Sequence, residues 1–316
     1  MNSYAPKSQT TKEIEATEVP NAPEDTVSDI SLADSLMAVS SWDGCVRIYK
    51  KNHLGGFEPL KIYENLGAPV LSVCLIGEAF VVAGLVDGNI VAVDMRSEGV
   101  RKTIKAHDNS VKAVRLMNNF VVTASFDGFY KIFDSEFKEV HSVNMQSKIY
   151  CMDCVGEYLA LGLRNKKAVL VNLATNKSEE FMTSFEYAIR SIAISPTRFG
   201  VDIAVGSVEG KIQVFNTNTK SSFTMRQHRQ DEKLYSVNQI RFLDENMLLS
   251  GGSDGFVYVI NKATKYKMAG AKYSAPITAM VVQNRKVAFA VGDDWSKGFQ
   301  QQYTRPEIKI SDLQRL

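Results

Sequence analysis

A cluster of basic side chains between residues 226 and 235 could bind negatively charged groups. The basic residues of this segment are Arg226, His228, Arg229 and Lys233. Guanidinium groups form bidentate hydrogen bonds with carboxylates and phosphates, so the cluster predicts contact with an acidic partner. Two acidic residues dilute the positive charge. A solvated polar loop therefore remains the alternative interpretation.

A second candidate site is the stretch Asp293-Asp-Trp-Ser-Lys-Gly298. It holds Trp295, one of only two tryptophans, and Lys297 two positions later. The apolar segments on either side leave a loop over residues 291–306, and long loops in compact folds are often functional. Because tryptophan is a preferred anchor of interfaces, the stretch predicts partner contact. The alternative is a tryptophan that anchors its own loop.

Basic residues that could meet RNA phosphates lie in two segments. They are Arg164, Lys166 and Lys167 in one predicted turn, together with Lys233 of the basic cluster. Phosphate contacts of this kind release counterions, so binding would depend on salt. A solvated turn is the alternative for residues 164–167.

Motifs of catalysis and metal binding are missing from the sequence. It has no Walker motif and no nucleophile elbow, and its histidines and carboxylates do not cluster. Cys151-x-x-Cys154 invites a zinc or redox interpretation, but residues three apart on a strand point to opposite faces, and no second pair accompanies them. We therefore expect packed thiols, no enzyme activity and no cofactor.

Composition sets further bounds on the class of protein. The formal net charge is only +2 over 316 residues, which argues against a protein that coats nucleic acid along its whole surface. Four cysteines are too few for a disulfide framework. No apolar run approaches 18 residues, and the N-terminus lacks an apolar signal region. These features predict a soluble protein of the cytosol or nucleus, without membrane insertion.

A repeated sequence must position these candidate residues. Residues 249–261 end one strand, turn at Ser-Asp-Gly and begin an aromatic, β-branched strand, and residues 122–134 and 39–49 repeat this pattern. Corresponding turn residues recur every 38–45 positions, at Asp43, Asp87, Asp127, Asn165, Glu209, Asp254, and Asp293 or Asp294. A period of this length with short strands is the signature of a β-propeller.

Four strands are expected in each period, but the last period is incomplete. It offers strands at residues 277–282, 287–290 and 307–310. Residues 13–17 can supply the missing outer strand and close the ring, which removes two open sheet edges. We therefore expect one seven-bladed propeller over residues 13–316, preceded by a disordered tail over residues 1–12.

The repeat resembles the WD-repeat family, and within it the seven-bladed mRNA-export factors of the nuclear pore. The matching stretches are Pro23-Glu-Asp-Thr-Val-Ser-Asp-Ile30, Ser40-Ser-Trp-Asp-Gly-Cys-Val-Arg-Ile48, Ala106-His-Asp108, Tyr150-Cys-Met-Asp153, Gly206-Ser-Val-Glu-Gly210, His228-Arg-Gln230, Tyr235-Ser-Val-Asn238 and Asp294-Trp-Ser-Lys-Gly298. The spindle-checkpoint propeller is a sister that shares most of these stretches. The resemblance implies an all-β, seven-bladed WD-repeat propeller.

The resemblance also implies roles for individual residues. Propellers of this kind bind a short acidic segment, the GLEBS motif, across the top face, where turns between second and third strands meet the connections between blades. The residues that would contact this segment are Trp42, Arg190, His228, Arg229, Trp295 and Lys297, with Arg229 and Arg190 pairing with its glutamates. In the WD pattern, a histidine such as His107 forms buried hydrogen bonds to the turn aspartate, here Asp127.

The function implied is that of a non-enzymatic adaptor. It would bind a GLEBS-motif nucleoporin, contact mRNA or mRNP, and support mRNA export as a monomer within a hetero-complex. Its place would be the nucleus and nuclear pore, with shuttling to the cytoplasm. The alternative is a spindle-checkpoint adaptor that recruits a checkpoint kinase to phosphorylated kinetochore peptides.

Overall fold

The Asp-Gly turns of the repeat fold as the sequence predicts. In the computed structural model, which describes residues 12–97, 99, 101–294 and 303–314, Asp127 Oδ1 accepts a hydrogen bond from the backbone N–H of Phe129 at 2.9 Å. The glycine between them, Gly128, has φ of 94°, a conformation that other residues adopt only with strain. Asp254 makes the same bond to Phe256 at 3.1 Å. Each turn therefore reverses the chain between two strands of one sheet.

In the described ranges the strands form seven blade sheets and one separate two-stranded sheet, and no helix occurs. The chain begins with β1 (Lys12–Glu13) and β2 (Thr17–Val19). Blade 1 has β3 (Val27–Leu32), β4 (Leu36–Ser41), β5 (Val46–Lys51) and β6 (Phe57–Tyr63). Blade 2 has β7 (Val70–Ile76), β8 (Phe80–Leu85), β9 (Asn89–Asp94) and β10 (Arg101–Lys105). Blade 3 has β11 (Val111–Met117), β12 (Phe120–Ser125), β13 (Phe129–Phe133) and β14 (Glu139–Asn144).

The second half of the chain continues in the same order. Blade 4 has β15 (Ile149–Val155), β16 (Tyr158–Leu163), β17 (Lys167–Asn172) and β18 (Lys177–Met182). Blade 5 has β19 (Ile189–Thr197), β20 (Gly200–Ser207), β21 (Lys211–Asn216) and β22 (Ser222–Arg226). A hairpin of β23 (Arg229–Gln230) and β24 (Lys233–Leu234) follows. Blade 6 has β25 (Val237–Phe242), β26 (Met247–Gly252), β27 (Phe256–Asn261) and β28 (Lys267–Lys272). Blade 7 has β29 (Ile277–Gln283), β30 (Lys286–Val291) and β31 (Glu307–Asp312).

In blades 1–6 four strands pair antiparallel in chain order, and the fourth strand is the outermost except in blade 6, where β1 lies outside it. The inner strands carry buried branched residues, whereas outer strands such as β14 show side chains that are mostly exposed. Apolar clusters join neighbouring blades; for example, one cluster contains Ile48 of blade 1 and Val73 of blade 2. The fold is therefore the predicted seven-bladed β-propeller.

The ring is closed by an N-terminal strand, but not by the residues that the sequence indicated. β2, rather than residues 13–17, pairs antiparallel with β31 and is the outer strand of blade 7. β1 instead pairs parallel with β28 as a fifth strand of blade 6. Two apolar anchors explain the shift: Val19 packs in the cluster between blades 7 and 1, and Ile14 packs between blades 6 and 7.

Two of the predicted segments, the N-terminal tail and the blade 7 loop, lie partly outside the described residues. Residues 1–11 of the predicted tail lie outside them, and Lys12 already belongs to β1. Of the blade 7 loop, residues 295–302 lie outside them as well. Over the ranges that are described, no helix is long and apolar enough to cross a membrane.

Candidate interaction surface and central channel

A β-bulge occupies the same position in the innermost strand of every blade. In each case the second residue of the strand interrupts the ladder, so that its neighbours pair in shifted register. A bulged residue bends the strand and re-aims its side chain. The seven bulge residues are Ser28, Leu71, Lys112, Tyr150, Arg190, Asn238 and Thr278. We call them the bulge ring.

The whole bulge ring lines one cavity of about 350 Å³. Since the other lining residues come mainly from the innermost strands of the blades, this cavity is the central channel of the propeller. Trp42 and Phe126, from turns between second and third strands, also line it. These turns mark the top face, so the bulge ring lies at the top end of the channel.

The cavity is lined by two residues for which the family resemblance implies partner contact, Trp42 and Arg190. Arg190 is exposed, and its Nε donates a hydrogen bond to Asn238 Oδ1 at 3.4 Å. The Asn238 amide in turn donates to Asp294 Oδ2 and to the backbone carbonyl of Ile277. Arg190 is thus held at the channel mouth by an amide while its guanidinium remains accessible.

The predicted blade 7 site is described only at its two ends. Trp295 and Lys297 lie outside the described residues. Before them, the Asp293 carbonyl accepts a hydrogen bond from Thr26 Oγ1 at 2.9 Å; after them, the N–H of Thr304 donates to the Asp293 carboxylate at 2.9 Å. The Tyr303 hydroxyl donates to the Glu24 carbonyl at 2.7 Å. Both ends of the loop are therefore fastened near the start of blade 1.

His228 requires a correction, because it is not part of an exposed basic cluster. Its side chain is 0% exposed, its Nδ1–H donates to the Asp254 carboxylate at 2.8 Å, and its Nε2 lies 2.9 Å from the Ser250 hydroxyl. The imidazole also packs against the Tyr258 ring, with ring centroids 5.3 Å apart. The His228 side chain therefore links the connection after blade 5 to blade 6 through hydrogen bonds, and it is not accessible to a partner.

The remaining residues of that connection form an exposed hairpin. Arg229 and Lys233 lie on the paired strands β23 and β24, and both are exposed. Arg229 Nε donates to the backbone carbonyl of Asp231 at 3.1 Å, and no carboxylate pairs with either cation in the described structure. Their charges therefore remain available for a partner.

His107 repeats the geometry of His228 and confirms the structural role implied for it. Its Nδ1–H donates to the Asp127 carboxylate at 2.9 Å, and its Nε2 lies 2.8 Å from Thr123 Oγ1. Burial lowers the pKa of His107 and outweighs the opposing effect of Asp127. The neutral imidazole therefore links the connection after blade 2 to blade 3 through hydrogen bonds.

The basic turn over residues 164–167 is divided between free and engaged cations. Arg164 is exposed, whereas Lys167 Nζ lies 2.6 Å from the Glu180 carboxylate. The backbone carbonyl of Lys166 accepts hydrogen bonds from both the N–H and the hydroxyl of Thr183. Part of the predicted charge is thus neutralised within blade 4.

The two cysteines of Cys151-x-x-Cys154 have separate surroundings. Cys151 lines the channel, and Cys154 Sγ lies 3.5 Å from the Leu116 carbonyl. Burial raises the pKa of each thiol to about 12, which keeps the thiols protonated and unreactive at neutral pH.

Sequence reasoning missed the channel cations. Lys112 and Arg115 on β11 and Arg241 on β25 all line the cavity together with Arg190. One signal could have found Lys112: each innermost strand begins with Val or Ile, then a variable residue. Aligning those variable residues gives the bulge ring.

The fold and its channel define the class: a seven-bladed WD-repeat β-propeller. No family model matches the chain. It is 30% identical over 304 residues to the "Poly(A)+ RNA export protein" of Schizosaccharomyces pombe, covering 89% of this chain and 85% of that protein. It is 27% identical to "Protein Rae1" of Drosophila melanogaster, covering 95% and 94%. "Mitotic checkpoint protein bub-3" of Caenorhabditis elegans matches at 24% identity over 71% of the chain and 70% of that protein. The chain belongs to the Rae1/Gle2 family of WD40 mRNA-export proteins.

Proposed function

We propose that this chain is a non-enzymatic adaptor in mRNA export that binds a GLEBS-type acidic segment of a nucleoporin across the top face. The observation that carries the proposal is that Trp42 and Arg190 both line the mouth of the channel. Its context is the relation to proteins named as RNA-export factors.

The chemistry of this mouth suits an acidic segment with apolar flanks. Arg190 forms no ion pair with any described residue, so its guanidinium can donate two hydrogen bonds to one carboxylate. Trp42, 37% exposed, stands at the same rim together with Phe126 and Tyr150. Aromatic and arginine side chains are the commonest energetic anchors of interfaces.

The hairpin of β23 and β24 extends this surface toward blade 6. Arg229 supplies a second exposed guanidinium, and Lys233 a further charge. Trp295 and Lys297 remain proposed contacts of the blade 7 loop. His228 takes part only by holding the base of the hairpin, where its carbonyl accepts a hydrogen bond from the Tyr235 N–H at 3.0 Å.

Titration of a synthetic GLEBS peptide by calorimetry tests the proposal. Arg190→Ala should weaken affinity by about tenfold or more, because a carboxylate of the peptide loses its charged partner. The matched control is Arg198→Ala, which removes an exposed arginine from the turn between β19 and β20 at the other end of the strand that carries Arg190. Equal affinities for the wild type and Arg190→Ala would refute the site.

RNA contact is proposed for Arg164, Lys166, Lys167 and Lys233. Since Lys167 already pairs with Glu180, we expect Arg164 to contribute more of the binding. Filter binding of single-stranded RNA should show affinity that decreases with salt and decreases further in Arg164→Ala. Binding that is indifferent to both changes would exclude this turn.

The checkpoint adaptor remains a second candidate, favoured by the match to the protein named bub-3. It would recruit a checkpoint kinase to phosphorylated kinetochore peptides. Purification from cells separates the two functions: nucleoporins and nuclear-envelope localisation support the export adaptor. Recovery of checkpoint kinases without nucleoporins would favour the alternative.

A further inference from the structure

The channel below the top face carries more positive charge than a structural core needs. Four basic side chains line the cavity, against two carboxylates, a formal excess of two positive charges among the described lining residues. The four cations are Lys112, Arg115, Arg190 and Arg241. They come from blades 3, 5 and 6, so they approach the cavity from different sides.

One of the two carboxylates is already neutralised. Asp29 lies 2.7 Å from Arg115 Nη1, and its oxygens also accept hydrogen bonds from the backbone N–H groups of Ile30 and Val73. The second, Asp294, accepts a hydrogen bond from the Asn238 amide. Within the described part of the chain, Lys112 and Arg241 have no ion pair with a carboxylate.

Neighbouring charges in the channel act on both of these unpaired cations. Burial and the nearby Arg190, against the opposing charge of Asp29, together lower the pKa of Lys112 to about 8. Burial likewise lowers the pKa of Arg241, with Asp153 opposing and Arg115 adding to the effect. Like charges held together in a partly desolvated cavity favour an anion between them.

We propose that the central channel binds a phosphate dianion, either as free orthophosphate or as the phosphate group of a small phosphomonoester, between Lys112 and Arg241. A dianion matches the formal excess of two charges, and its several oxygens can accept hydrogen bonds from cations on different blades. A carboxylate supplies one charge and two oxygens. This site lies beyond the proposed peptide function, since neither Lys112 nor Arg241 is assigned to the peptide.

Calorimetric titration of the full chain in a phosphate-free buffer tests the site, with inorganic phosphate and glycerol 2-phosphate as probes. Lys112→Met and Arg241→Met should each weaken binding of the probes by about tenfold, because a charged hydrogen bond is lost. The matched control is Lys220→Met, which removes a lysine that pairs with Glu179 and does not line the channel. Lys112 and Arg241 are both half-buried and lie on different blades, so either variant keeps the test decisive if the other fails to fold.

The pH dependence supplies an independent readout. Lys112 faces Arg190, Arg115, Asp29 and Cys151, and it loses its charge as the pH rises through about 8. The Cys151 thiol stays neutral there because burial raises its pKa to about 12. For glycerol 2-phosphate, a monoester that is largely a dianion across this range, affinity should therefore weaken on the order of fivefold between about pH 7 and about pH 9. Lys112→Met should lack this change.

The two probes distinguish the source of the phosphate. Binding of both indicates room for an esterified group, and binding of orthophosphate alone indicates a site closed to it. Absence of binding by either probe would overturn the proposal, as would equal weakening by Lys220→Met. Peptide titrations on the same Lys112→Met protein keep this test separate from that of the export function.

Discussion

Deleting residues 1–19 should destabilise the propeller, whereas deleting residues 1–11 should not. The longer deletion removes β1 and β2 and exposes the edge of β31. The shorter one removes none of the contacts that the structure describes. The comparison therefore isolates the contribution of the N-terminal strands to ring closure.

The size of the effect follows from two buried side chains and a short ladder. Val19 is 2% exposed and packs with Ile308, and Ile14 is 5% exposed and packs with neighbours of blades 6 and 7. Full burial of such side chains is worth roughly 1.5–3 kcal/mol each, so their loss costs roughly 3–6 kcal/mol. The hydrogen bond from Ser311 Oγ to the Glu15 carbonyl, at 2.6 Å, adds about 1 kcal/mol.

Urea unfolding followed by tryptophan fluorescence provides the measurement, and two point variants guard against a truncated chain that does not fold. Val19→Ala should lower the free energy of unfolding by about 1–3 kcal/mol. Glu18→Ala, on the same strand, should change it by less than about 1 kcal/mol, because Glu18 is exposed and its ion pair with Lys309 is screened. Equal stabilities for Val19→Ala and Glu18→Ala, or for the two deletions, would refute this account of closure.

Two further predictions concern the two buried histidines. His228→Ala should lower the free energy of unfolding by about 3–5 kcal/mol because it leaves the buried Asp254 carboxylate without its imidazole partner. The control, Arg229→Ala, should lower the free energy of unfolding by under about 0.5 kcal/mol. Similar losses for the two variants in urea unfolding would contradict the buried position of His228. For His107, the folded pKa lies below its value in the unfolded chain, so its share of stability is complete above about pH 6.5 and is lost as the pH falls toward the folded pKa. The stability difference between wild type and His107→Gln should therefore shrink on acidification, and a constant difference across that range would contradict this reasoning.

The blades could be predicted from sequence because their signals are local. The aspartate in these turns accepts a hydrogen bond from the backbone N–H two residues later, as Asp127 and Asp254 do. The strand that follows begins directly with aromatic and β-branched residues. The strand that the pattern over residues 249–261 predicts after its turn forms β27. The comparisons likewise confirm the resemblance to the export-factor family.

The site could not be predicted to the same extent because its determinants are not local. His228 is predicted as a surface residue because it lies 26 positions before Asp254, whereas His107 lies 20 positions before Asp127; the hairpin of β23 and β24 lengthens the first spacing. Because of this difference in spacing, the sequence does not show that the two histidines occupy equivalent positions. β2 was misplaced because its register depends on which apolar residue reaches the gap between blades 7 and 1.

The bulge ring has a consequence for how such propellers diverge. A bulged residue stands outside the regular pairing of its strand, so its side chain can be exchanged without shifting the register on either side. Substitutions there alter what the channel mouth recognises while the blades keep their pairing. The residues at these seven positions, one from each blade, then describe what the channel mouth of a relative can recognise; in this chain they are Ser, Leu, Lys, Tyr, Arg, Asn and Thr. Two relatives with the same blades but different residues at these positions are expected to bind different partners.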